Sequence, residues 1–155
     1  MRAQSGFRLA WGMALVIAGA AGCASGGGGG ATPTIDQAYG ASSAESAVAE
    51  FLDAARRNDY GLMARLFGTT DGPAVESLGR PEVEQRMFIL ASLLRHQSYS
   101  LRPMSIAEAE GKQRVIAEMV GTRNGDATVP FIAASNRGRW FVERVLTDNL
   151  TSSGG

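Results

Sequence analysis

The chain has one cysteine, Cys23, and one histidine, His96, and these two residues narrow the chemistry open to it. A single cysteine cannot close an internal disulfide, so Cys23 is a site of modification, a free thiol or a bridge to a partner. His96 follows an apolar run, with no second metal ligand near it in helical or strand spacing, so the pattern supports no metal site. A histidine at a helix end is most simply the partner of the helix dipole. The five glycines at 26–30 lack the lysine, the preceding strand and the following helix of a phosphate loop. No serine stands in a nucleophile-elbow pattern. No catalytic residue, cofactor or metal is therefore assigned.

Arg86 is the charged residue whose position needs an account. It lies three residues after Val83 and four before Leu90, on the edge of an apolar helical seam. A guanidinium there either snorkels outward or meets an acid. If it points inward, Asp71 in "TTDGP" is the expected partner, because that short loop can fold back over the helix start and a carboxylate can take two parallel bonds from Arg. Such a pair, Arg86 with Asp71, would pin the loop and do no catalysis.

The setting of Cys23 bears on its role. Arg2 and Arg8 precede "LAWGMALVIAGAAG", residues 9–22. That run is shorter than the ~20 residues of a membrane-spanning helix, and a basic start with a short apolar middle describes a secretory signal. A buried core helix is the alternative, which the run's glycines disfavour. "AAGC" resembles the lipobox of bacterial lipoproteins, with Ala20 where leucine is usual. The resemblance implies lipidation of Cys23 and removal of residues 1–22. Residues 23–41, with the glycines and "ATPT", then form a flexible spacer between lipid and domain. Ala24 stands where lipoproteins retained at the inner membrane often carry Asp, so the periplasmic face of the outer membrane is the expected location. The membrane, reached through the lipid, is the first expected partner.

Without Arg2 and Arg8, 13 basic residues face 15 acidic ones, a net charge of about −2. No basic patch stands out, and nucleic acid is not an expected partner.

The remaining chain is read from its periodicity. "SSAE" offers a capping box, Ser42 with Glu45, for a helix whose apolar face carries Ala44, Ala47, Val48, Phe51, Leu52 and Ala55. Asn58 and Asp59 end it, and Asp59 caps a second helix over 60–67. Residues 68–73 read as a loop. A third helix starts near Pro81, with an apolar seam of Val83, Met87, Leu90 and Leu94 widened by Phe88, Ala91 and Leu93. Strands follow over 99–106, 113–122, 127–134 and 139–147. Asn124-Gly125 marks a hairpin, and Pro130 belongs at an edge or bulge. Residues 149–155 read as a disordered tail. The expected class is α+β, with about three helices packed on a curved antiparallel sheet over 42–148 and Phe51, Leu66, Met87, Leu90, Leu94 and Trp140 in the core.

"AVAEFLDAARRNDYGLMARLF" and the ending "GRWFVERV" resemble the opening and last strand of NTF2-like, cystatin-like α+β domains. The resemblance implies a cone with the long helix across it, often around a pocket. Enzymes of that family place an acid and a tyrosine in the pocket, which would draw on Asp59, Tyr60, Tyr99, Glu118 or Glu143. Their positions read more simply as a cap (Asp59), packing (the tyrosines) and an exposed strand face (the glutamates). Fold alone does not fix function. The expected role is a lipid-anchored binding or structural module of the cell envelope, meeting an envelope protein or a small apolar ligand. A pocket enzyme of isomerase or dehydratase type is the alternative.

Overall fold

A computed structural model describes residues 39–102 and 105–151. Helix α1 (Ala44–Arg57) starts one residue later than the capping box suggests: Ser43, with extended backbone, is the cap, and its Oγ accepts from the Ser46 N–H at 3.1 Å. Glu45 is thereby released from capping. Asn58 ends the helix in the left-handed region, which its short polar side chain tolerates. Asp59 then caps α2 (Tyr60–Leu66), accepting from the Leu62 N–H at 2.9 Å, as read from the sequence.

Residues 68–73 are not a plain loop. They form a minimal hairpin, β1 (Gly68–Thr69) with β2 (Gly72–Pro73), followed by a short helix α3 (Ala74–Leu78). Five residues give too little periodicity to reveal α3 in advance. Helix α4 (Arg80–Leu93) has proline in its first turn, where the missing N–H costs no intrahelical bond.

The sheet consists of β3 (Ser98–Leu101), β4 (Ile106–Ala109), β5 (Lys112–Thr122), β6 (Gly125–Asn136) and β7 (Arg139–Val145). All neighbours are antiparallel in the order β3-β5-β6-β7, and β4 pairs with the part of β5 beyond β3. The turn itself is Arg123-Asn124, and Gly125, at φ +99°, takes the positive φ where β6 begins. Bulges interrupt β5 against β6 after Met119, and β6 against β7 after Ile132; such bulges bend a sheet. Pro130 lies near the second. Its carbonyl accepts from the Leu146 N–H just past the end of β7, so its missing donor faces a side where the ladder has run out. The outer edge of β7 is covered by chain from the helical half, through bridges from Ala41 to Trp140 and from Phe67 to Val142. The domain therefore holds the chain from residue 39 on.

Helix α1 lies across the sheet and touches β5, β6 and β7, while α2 and α4 pack on α1. Val48, Phe51 and Leu52 meet Val115, Ala117 and Met119 of β5, Val129 and Phe131 of β6, and Met63, Val83, Met87 and Leu94 of the other helices in one buried cluster. Each of the larger side chains stabilises by ~1.5–3 kcal/mol through burial. Lys112, Arg114, Ile116 and Glu118 alternate onto the opposite face of the sheet.

Two expected core residues are only partly buried, Leu90 and Trp140. Phe88 and Leu93 do not widen the seam: they are 58% and 38% exposed, and Ile89 is 56% exposed. Helix α4 is apolar on more than one face, so its sequence cannot show which face turns inward. The chain does not become a tail at residue 149. Helix α5 (Asp148–Thr151) buries Leu150 in the core cluster, and the Asn124 side chain donates to the Leu150 carbonyl at 2.6 Å.

Candidate functional site

The hairpin β1-β2, helix α3 and the first half of α4 surround a surface hollow of about 550 Å³, lined in part by Phe67, Asp71, Glu76, Leu78 and Arg86. Its walls are fixed locally. The Asp71 N–H donates to Thr69 Oγ1 at 3.1 Å, and the Ala74 N–H donates to the Phe67 carbonyl at 2.9 Å. The Asn136 amide, at the end of β6, donates to the Thr70 carbonyl at 2.6 Å and ties the hairpin to the sheet.

Arg86 and Asp71 face the same hollow, but they do not pair. Arg86 Nη2 lies 2.7 Å from Glu82 Oε1, one helical turn earlier, with the two side chains 53% and 51% exposed. A partner at i−4 on the same helix lies directly within reach of the side chain. Arg86 snorkels, and Asn136 holds the loop.

The acid and tyrosine side chains implied by the family resemblance are bonded elsewhere. Asp59 caps α2. Tyr60 packs edge-on to Phe88, with centroids 5.5 Å apart. The Tyr99 hydroxyl donates to the Ala49 carbonyl at 3.0 Å, and burial, with the Asp53 carboxylate, raises its pKa. Glu118 pairs with Arg102 at 3.2 Å in the open. Glu143 departs from the expectation of an exposed strand glutamate. Its side chain is 13% exposed, 2.7 Å from Lys112 Nζ, with Oε2 buried and without a partner. The bulge between β6 and β7 is what turns it inward on the outer face, and a bulge leaves no mark in an alternating pattern.

Two further groupings escaped the sequence reading. The Glu45 carboxyl is held below the usual carboxylate range, first by the Ser105 hydroxyl, which also lies 3.1 Å from Gln113 Oε1, and then by the backbone N–H of Glu45. At the far end of α1, Arg56, Arg95 and His96 border a second hollow of about 370 Å³. The spacing of Arg95 and His96 after the α4 seam was visible; their meeting with Arg56 depends on how the helices pack. Among the described residues no three His, Cys, Asp or Glu side chains group to hold a metal ion, and no helix is long and apolar enough to cross a membrane. Cys23 and the run at 9–22 lie outside the described residues.

Compared with models of known protein families, with curated proteins and with solved structures, the chain matches none.

Proposed function

We propose that this is a lipid-anchored cell-envelope protein whose folded domain, an NTF2-like cone, serves as a binding or structural module. The observation that carries the anchor is the setting of Cys23: the only thiol stands after a short apolar run and small residues, and before a glycine spacer. Two or more acyl chains on that residue give stable attachment, at ~0.8 kcal/mol per buried methylene. The outer membrane's periplasmic face is the favoured location, from Ala24.

The NTF2-like reading is supported by the long α1 across the sheet, the Asn58-Asp59 break before α2, and a last strand opening on Arg139-Trp140. The module reading is supported by the interior. Phe51, Phe131, Met63, Met87 and Met119 fill the space between helices and sheet, and among the described residues no polar or charged residue is buried there. Contacts with an envelope protein or a small apolar ligand then fall to the surface, with the hollow beside Arg86 the candidate place.

Membrane fractionation of Cys23→Ser tests the reading. The variant should lose lipid labelling and leave the membrane fraction. Retention equal to that of the wild type would contradict it.

A further inference from the structure

We infer that the second half of α4 docks on the membrane that carries the lipid anchor, with Phe88, Ile89 and Leu93 entering the boundary between headgroups and acyl chains. This docking rests on the acylation of Cys23. The inward face of α4 is complete without these three residues: Val83, Met87, Ala91 and Leu94 fill it and are each at most 1% exposed. Phe88, Ile89 and Leu93 make up three of the six large hydrophobic side chains exposed among the described residues, and they fall within one stretch, 88–93. Clustering of this kind, unlike single exposed residues, marks an interaction surface. Residues 87–94 carry no charge. The one polar side chain among them, Ser92, donates its hydroxyl to the Ile89 carbonyl at 2.6 Å. Charges in the first half of α4 are paired with one another, Arg86 with Glu82 and Arg80 with Glu84.

The place where the chain enters the domain selects a lipid surface as the occupant. The Gly40 N–H donates to the Arg65 carbonyl at 3.0 Å, so the chain comes in beside α2, the helix that packs on α4. Tyr60, the first residue of α2, stands edge-on to Phe88. Residues 24–38 span at most about 50 Å. An acylated Cys23 therefore keeps α4 close to the bilayer, at an effective concentration on the order of mM, where a small apolar face suffices. A second copy fits less well: three side chains, none more than 58% exposed, fall short of the ~800 Å² per partner of a stable interface. The rim of the face also suits lipid. The Tyr60 hydroxyl donates to Asn58 Oδ1 at 3.4 Å, which gives this aromatic residue the apolar body and polar tip found at headgroup level. Arg95, exposed and without an ion-pair partner among the described residues, can lay its stem along the apolar face and keep its charge among the headgroups.

The test uses the full chain purified from its own membranes and placed in vesicles of phosphatidylethanolamine and phosphatidylglycerol. With Cys23 acylated, Ile89→Cys supplies the only free thiol, and a fluorophore is attached there. Lipids carrying a nitroxide quencher at shallow or deep acyl positions should place that label about 5–10 Å into the boundary between headgroups and acyl chains. The same label at Glu118→Cys, on the opposite face of the sheet, should escape the quencher. Phe88→Ser combined with Leu93→Ser should abolish quenching at residue 89 while the chain stays on the vesicles through its anchor. Phe88→Asp, at the most exposed of the three positions, is the second variant should the double one fail to fold. Equal quenching at residues 89 and 118, or quenching at 89 that survives these variants, would overturn the docking. Shielding of the residue-89 label from aqueous iodide that grows with protein density, without quenching by lipid, would assign the face to a second copy and overturn it as well. The intact mass separates the two readings: an acylated chain with an unquenched label sinks the docking alone, and a chain without acyl groups sinks the anchor and the docking with it.

Discussion

Lys112 Nζ lies 2.7 Å from Glu143 Oε1, although Lys112 is on β5 and Glu143 on β7, with β6 between them. The pair spans a strand because Lys112 faces Ala134, whose small side chain leaves a path across β6. Glu143 stands at the bulge, where its side chain turns toward the lysine.

Removing one partner should therefore be costly. Lys112→Met leaves a mostly buried carboxylate unpaired and should destabilise by about 1–3 kcal/mol, between the values for exposed and fully buried pairs. Combining it with Glu143→Leu should recover much of that loss, since both charges then leave together. Urea unfolding of the two single variants and the double variant gives the coupling; additive losses would show that the pair does not act as a unit.

The core ranks its side chains differently from the helical seam. Phe51→Ala should cost about 3–5 kcal/mol and Leu94→Ala about 2–5 kcal/mol, as large-to-small changes at closed sites do. Leu90→Ala, at a partly buried site, should cost about 1–2 kcal/mol. Equal losses at Leu90 and Leu94 in equilibrium unfolding would place the seam wrongly.

Arg86 and Asp71 should behave as independent surface residues. Arg86→Met loses an exposed i, i+4 pair and should cost about 0.5 kcal/mol or less. Asp71→Asn should add to it without coupling. A coupling energy above about 1 kcal/mol would mean that the loop closes onto Arg86 in solution.

The Glu45 carboxyl gives an acid dependence of known sign. Its pKa is lowered in the fold, first by the Ser105 hydroxyl, from an ordinary 4.5. The unfolded chain thus takes up this proton first as pH falls. Stability from Glu45 is present above the unfolded value and is lost as pH drops through the folded one. Ser105→Ala should flatten the stability profile below pH ~4.5 and leave it nearly parallel to wild type at neutral pH. An unchanged acid limb would show that Ser105 does not support the ionised form.

Much of this fold was legible in the sequence, for reasons that particular residues make plain. Helix α1 declares itself by an apolar face of Val48, Phe51, Leu52 and Ala55, and Asp59 marks the next start with a cap. Asn124-Gly125 marks the β5-β6 turn, while the bulge between Met119 and Thr122, which no pattern announces, sets the register of the ladder beyond it. What stayed hidden depends on contacts between distant segments. Asp71 is near Arg86, but a residue one turn away on α4 reaches it first. Glu143 looks like a solvent residue until the bulge redirects it. Helix α3 and the turn at Leu150 are too short for a period and are held by packing against the rest of the domain. The hollow at the ends of α1 and α4 joins Arg56 to Arg95 and His96, a meeting no linear pattern records.

The proposed envelope role stands on Cys23 as the lipidated amino terminus of the mature protein. Intact mass measurement of the protein extracted from its own membranes tests it most directly. The expected product is a chain beginning at Cys23 and carrying the added mass of acyl groups on that residue, with an unmodified soluble product from Cys23→Ser. A mature chain that begins elsewhere, or a Cys23 with a free thiol in the membrane fraction, would contradict it.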